Sequence, residues 1–147
     1  MLFATNRKRH QARSIILFKR AINNMWKSIL IVGSGGFAGS VARYLIGMWI
    51  QKGNAFSFPW ATFLINVTGC FIIGILTGLL QKNFQNQQLW WLLLATGFCG
   101  GFTTFSSFAL ENVLLIKNTL SYYAMLYTIA SIVVGILLCR LGIWLIN

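Results

Sequence analysis

Phe105 and Phe108 lie three residues apart in Gly97-Phe98-Cys99-Gly100-Gly101-Phe102-Thr103-Thr104-Phe105-Ser106-Ser107-Phe108, so on a helix their rings share one face. Such a pair usually packs a core. The edge of a phenyl ring is electropositive, however, so two edges side by side also make a weak site for an anion. Tyr123, Tyr127 and Ser131 recur every fourth residue and place a line of hydroxyls along an otherwise apolar segment. Asn66, in Phe63-Leu64-Ile65-Asn66-Val67-Thr68-Gly69, either glues two helices together or turns its amide hydrogens toward an anion. Arg43 is a snorkelling or structurally paired arginine, or else a charge that draws anions to a pore mouth. Glu111 is either paired for structural reasons or the site of a coupling proton. Its place near the far end of its segment favours the structural role. Phenyl edges, hydroxyls and an amide suit an anion better than a cation.

Other chemistries find no support. Gly33-Ser34-Gly35-Gly36-Phe37-Ala38-Gly39 has the glycines of a dinucleotide loop, but it lies inside an apolar run with no acid following to hold a ribose. His10 is the single histidine, and Cys70, Cys99 and Cys139 form no CxxC pair, so neither a zinc site nor a disulfide scaffold is expected. With no nucleophile beside a base, the chain does not read as an enzyme.

The elements that must position these residues are membrane spans. Of 147 residues, 57% are hydrophobic and 9% charged, against about 25% charged in soluble domains. Twelve Lys and Arg face one acid, for a net charge of +11, and Arg7, Lys8, Arg9, Arg13, Lys19, Arg20 and Lys27 all precede residue 28. The remaining body has too little charge for a water-facing surface, which excludes a soluble enzyme and a soluble nucleic-acid binder. Four apolar stretches reach the about 20 residues that cross a bilayer: Ser28–Ile50, Ala61–Leu80, Leu89–Ile116 and Leu120–Ile146. Trp26, Trp49, Trp60, Trp90, Trp91 and Trp144 sit near their ends, as in an interfacial aromatic belt. The third stretch would be about 42 Å long as a straight helix, against a hydrocarbon core of about 30 Å. Its paired glycines and hydroxyl residues predict a break near Gly100–Thr104, tolerable in a membrane only where protein or a wet cavity covers it. Gly35/Gly39, Gly74/Gly78 and Gly97/Gly101 have the four-residue spacing that lets helices approach closely.

In Gly35-Gly36-Phe37-Ala38-Gly39-Ser40-Val41-Ala42-Arg43-Tyr44, Thr62 through Gly69, and Gly97 through Phe108 and on to Glu111, the sequence resembles the Fluc/CrcB family of fluoride channels. The likeness covers residues 28–147 and leaves out 1–27. It implies an all-α membrane protein with four transmembrane helices per subunit, the third broken, assembled as an antiparallel dual-topology dimer. It implies passive fluoride export, with Asn66 donating to fluoride, Phe105 and Phe108 supplying ring edges, and Tyr127 and Ser131 in the polar track. It also implies a structural sodium ion at the dimer centre, held by the backbone carbonyls of Gly100 and Thr103 from each subunit. Ser107 stands where threonine is common in the family, and Gly135 continues the Tyr127/Ser131 spacing without a hydroxyl. Two other classes remain open: a proton-coupled small multidrug exporter using Glu111, and a noncatalytic subunit of a membrane assembly.

Residues 1–27 read as a flexible basic extension: an arm on anionic headgroups, an organellar transit sequence, or the product of an upstream start codon. In the body, Lys82 and Arg140 fall on the N-terminal side of the membrane, with Lys52 and Lys117 opposite. That balance suits insertion either way, whereas the seven basic residues of the extension place the N-terminus inside. A homodimer, or a heterodimer with an oppositely oriented paralogue, in a bacterial inner or plasma membrane follows as the expectation.

Overall fold

The structure, a computed structural model, describes the backbone of residues 2–51, 58–82 and 87–146, with side chains described over 22–50, 58–82 and 87–146. Lys52 therefore lies outside the described residues. Every regular element described is helical: α1 (Leu2–Gln51), α2 (Trp60–Gln81), α3 (Gln87–Trp90), a π-wound stretch (Trp91–Cys99), α4 (Gly100–Phe102), α5 (Phe105–Lys117) and α6 (Ser121–Ile146). Four stretches are long and apolar enough to cross a membrane: Ile22–Ile50, Trp60–Gln81, Gln87–Lys117 and Ser121–Ile146. The all-helical, four-span expectation agrees with this. The first stretch includes the expected Ser28–Ile50. All six tryptophans are exposed, as rings at a headgroup boundary would be.

Small residues set how the spans pack. The Cα of Gly35 faces Gly97, Gly36 faces Gly101, and Gly39 faces Phe98 and Phe102, so α1 and the third span ascend side by side in the same direction. α2 and α6 do likewise, with Gly74 against Cys139 and Gly78 against Ile143 and Ile146. At several positions the approach leaves no room for a side chain. A Cβ on Gly97 would lie 2.8 Å from the Val32 carbonyl oxygen, and one on Gly142 would lie 2.6 Å from that of Phe71. In lipid, where apolar surface gains nothing by leaving the solvent, such backbone proximity supplies the van der Waals contact that holds helices together.

The short links are built for the same purpose. Pro59 precedes the first turn of α2 and its carbonyl accepts the Phe63 N–H at 3.1 Å. Between α5 and α6, Thr119 adopts φ 61°, a left-handed conformation costly for a β-branched residue, so the reversal takes only a few residues. Lys82, which caps α2, donates its ammonium to the Ile146 carbonyl near the end of α6. Inside the bundle, Tyr127 is fully buried, clustered with Leu115 and Ala124 and packed against Phe58, Phe63 and Phe108. Elsewhere the apolar side chains point outward: the most apolar windows of the first and fourth spans are only 11% buried within the chain, which suits a surrounding of lipid or another subunit.

A methyl group at residue 142 must push α2 and α6 apart. Gly142→Ala is expected to destabilise the fold by about 1–3 kcal/mol, the usual cost of overpacking. Thermal unfolding of the detergent-solubilised protein, followed by size-exclusion chromatography, should show a lower midpoint than for the unchanged protein.

Candidate functional site

Helical backbone stops at Phe102 and resumes at Phe105. Thr103 (φ −81°, ψ 157°) and Thr104 (φ −147°, ψ 114°) between them are extended. The Thr104 peptide groups are therefore lost to the helix ladder, and α2 supplies their replacements. Asn66 Oδ1 accepts the Thr104 N–H at 2.8 Å, and Asn66 Nδ2 donates to the Thr104 carbonyl at 3.1 Å. The side-chain amide thus pairs with a backbone amide through both its faces, leaving its second N–H for another acceptor. Thr104 also caps α5, its Oγ1 accepting the Ser107 N–H at 3.3 Å.

On the other side of the interruption, α1 takes hold of the Gly101 carbonyl. Arg43 Nε donates to it at 3.0 Å and Ser40 Oγ at 3.4 Å. Arg43 is thus tied to backbone, and the rest of its guanidinium lies along an open cleft of about 360 Å³ that Thr62, Thr104, Ser107 and Glu111 also line. The Thr104 N–H would be the helical partner of the Gly100 carbonyl, and Asn66 has drawn it away. Gly100 is exposed, with nothing within 4 Å of where a side chain would start. Thr103 instead turns inward, its N–H and hydroxyl both donating to the Cys99 carbonyl, at 3.0 and 2.8 Å.

Glu111 sits at the meeting of α2, α5 and α6. Thr62 Oγ1 donates to its Oε1 at 2.6 Å and the Tyr127 hydroxyl to its Oε2 at 2.8 Å. The same glutamate lines a second cleft of about 370 Å³, walled by Phe58, Pro59, Leu114, Asn118 and Leu120. It therefore stands between two openings. Phe108 packs against Tyr127 with ring centroids 5.0 Å apart and lies 5.8 Å from Phe105, whose ring is 79% exposed. Ser131 Oγ is buried and, among the described residues, has no hydrogen-bond partner. An apolar surrounding makes that a cost of about 1–3 kcal/mol unless something else comes to pair with it.

The structure thus brings together Phe108, Glu111 and Tyr127, with Arg43 on the first cleft that Glu111 also lines, and Asn66 bonded to Thr104 of that cleft. Phe105 stands beside Phe108 but faces outward, Ser131 lies about one turn beyond Tyr127 on α6, and Thr103 lies in the interruption with Gly100 in the short helix before it. Tyr123, the first of the hydroxyl line, is exposed and stacks edge-on against Tyr122 instead. Thr62 and Ser40 belong to the site but were not singled out by sequence. Their signal was available: Thr62 precedes Asn66 by one helical turn, and Ser40 precedes Arg43 by three residues.

A multi-pass membrane protein with polar groups gathered at an interrupted helix and opening to two clefts is the class this arrangement defines. The family model described as "CrcB-like protein, Camphor Resistance (CrcB)" matches residues 30–143, and the chain belongs to that family. It is 49% identical over 118 residues to the "Fluoride-specific ion channel FluC" of Prosthecochloris aestuarii, covering 80% of this chain and 91% of that protein. It is 43% identical to the protein of the same name from Phocaeicola vulgatus, over 81% of this chain and 98% of the relative. The "Fluoride-specific ion channel FluC 2" of Bacillus cereus is 46% identical, over 79% and 94% respectively.

Replacing Asn66 by Ala strands both the N–H and the carbonyl of Thr104 in an apolar setting. The expected loss is about 2–5 kcal/mol, that of two buried polar groups left bare. Asn66→Asp keeps an acceptor for the N–H but offers no donor to the carbonyl, and should fall between. Thermal midpoints in one detergent rank the three proteins.

Proposed function

We propose that this chain forms a fluoride-selective channel that lets the anion leave the cytoplasm passively. The observation that carries the proposal is the set of polar groups with donor capacity left over. The rest of the Arg43 guanidinium, the second N–H of Asn66 and the unpaired Ser131 hydroxyl keep donors free, and Phe105 and Phe108 stand side by side. The names of the relatives agree with it. Fluoride holds its water strongly, so each donor on a narrow path replaces part of a hydration shell, and width and donor placement discriminate against chloride. On this route Asn66 donates beside Thr104, Phe105 and Phe108 offer ring edges, and Tyr127 and Ser131 continue the track. Weak acid HF enters cells uncharged and dissociates inside, and a passive path then drains the anion down its gradient.

The assembly we propose is an antiparallel dimer in a bacterial inner or plasma membrane, formed with a second copy or an oppositely oriented paralogue. Two observations support a second subunit. The outward faces of the spans are apolar, and Gly100 is exposed with a carbonyl that has lost its helical partner. Lipid cannot satisfy that group, so protein or an ion has to. Backbone carbonyls are hard oxygen ligands, a donor set that fits sodium. Gly100 and Thr103 of each subunit would hold the ion, which when bound neutralises the carbonyl dipoles where the third span breaks. Residues 1–27 are assigned as a basic extension to the channel domain 28–147, with the N-terminus on the cytoplasmic side.

Fluoride efflux from liposomes containing the purified protein tests the function. The unchanged protein should empty fluoride-loaded vesicles, and absence of efflux overturns the proposal. Phe105 is exposed, so Phe105→Ile changes little packing while removing a ring edge. An efflux about tenfold slower is expected, in line with losing one of a few weak contacts worth about 1 kcal/mol each. Undiminished efflux would remove Phe105 from the path.

A further inference from the structure

Asn112 and Thr128 are polar, lie within the spans and line neither cleft. Polar side chains in such a place need a reason, because a membrane interior penalises them unless they are paired. Thr128 Oγ1 donates to Asn112 Oδ1 at 2.9 Å, crossing from α6 to α5, and Asn112 Nδ2 donates to the Phe108 carbonyl at 2.9 Å, one turn back on α5. A threonine in an apolar helix normally turns its hydroxyl to the carbonyl four residues earlier. Thr77 in α2 does so, donating to Ile73 at 2.7 Å. Thr128 departs from that local solution to reach Asn112.

The two residues follow directly on another pair. Glu111 receives Tyr127, and Asn112 receives Thr128, so consecutive positions on α5 meet consecutive positions on α6. One bridge leaves two helices free to roll about it. Two bridges a residue apart, pointing in different directions around each axis, fix both rotation and slide. The second also ends on the backbone of Phe108, the residue whose ring rests 5.0 Å from that of Tyr127. We propose that Asn112 and Thr128 are a positioning pair that locks the Phe108 turn of α5 to α6 and so sets where the Phe108 ring edge faces the ion. The functional half of this rests on Phe108 lining the path, while the structural half does not.

Thr128→Val removes the hydroxyl at nearly constant shape, and Thr128→Ser keeps the hydroxyl while removing the methyl. Proteoliposomes of the full chain with each change, with Asn112→Ala, and with Asn112→Ala and Thr128→Val together, are assayed for fluoride efflux. Deuterium uptake over residues 105–112 is measured on the same samples. Thr128→Val should slow efflux by about tenfold, the effect of one buried hydrogen bond, and should speed uptake. Thr128→Ser should stay close to the unchanged protein in both. The double variant should be no slower than Asn112→Ala alone, because the two groups act through one bond. The pairing is overturned if Thr128→Val matches the unchanged protein, if Thr128→Ser is as impaired as Thr128→Val, if efflux falls without faster uptake, or if the two losses multiply. Should the unchanged protein move no fluoride, the channel assignment fails by itself. The pair then stands or falls on whether uptake separates Thr128→Val from Thr128→Ser.

Discussion

Inside a membrane, the N–H and C=O of a residue taken out of a helix have to find partners within the protein, and for Thr104 both are on Asn66. Much of the site follows from this exchange. Because Thr104 is held extended, its hydroxyl is free to cap α5, and α5 starts at Phe105 with a phase that puts Phe108 toward Tyr127 and Glu111 between Thr62 and Tyr127. Because the Thr104 N–H has left, the Gly100 carbonyl loses its helical partner. Because the chain has turned aside, the Gly101 carbonyl is reachable from α1, where Arg43 and Ser40 meet it. One amide side chain at the right height on α2 therefore sets the direction of the next helix and the chemistry on both sides of it.

The only acid in the chain is used with similar economy. A carboxylate beside an anion's route would repel it if left to itself. Here each oxygen accepts a hydroxyl, one from Thr62 and one from Tyr127, and those donors spread its charge and fix its direction. The glutamate also joins three helices at the boundary between the two clefts.

The broad architecture was legible because it depends on composition. Apolar stretches of spanning length, tryptophans at their ends and glycines four apart are all sums or spacings within one segment, and they fixed the number of helices and the faces on which they meet. The excess length of the third stretch pointed to the region where Thr103 and Thr104 are extended. What sequence left open was mostly a matter of partners. Asn66 looked like a donor to an anion or to another helix. That it pairs with a backbone amide was hidden, because a peptide group has no letter of its own. Thr62 and Ser40 went unremarked since hydroxyls in apolar helices commonly bond their own helix, as Thr77 does. The π winding of Trp91–Cys99 also has no simple signature, and it comes where α1 presses closest.

The side-by-side ascent of α1 with the third span, and of α2 with α6, bears on how such a chain is able to change over evolutionary time. Most of these contacts are between backbones, with glycine opposite a carbonyl, so they admit little gradual adjustment. Adding one residue between Tyr127 and Gly142 would rotate everything beyond it by about 100° and turn the glycine edge away from α2. Lengths within the spans are consequently frozen as firmly as any ligand-binding residue, and freedom to grow or shrink is confined to the turns and the ends. Among descendants of a common ancestor, the counts of residues separating Gly35 from Arg43, Asn66 from Gly74 and Tyr127 from Gly142 would persist after most side chains between them had been replaced.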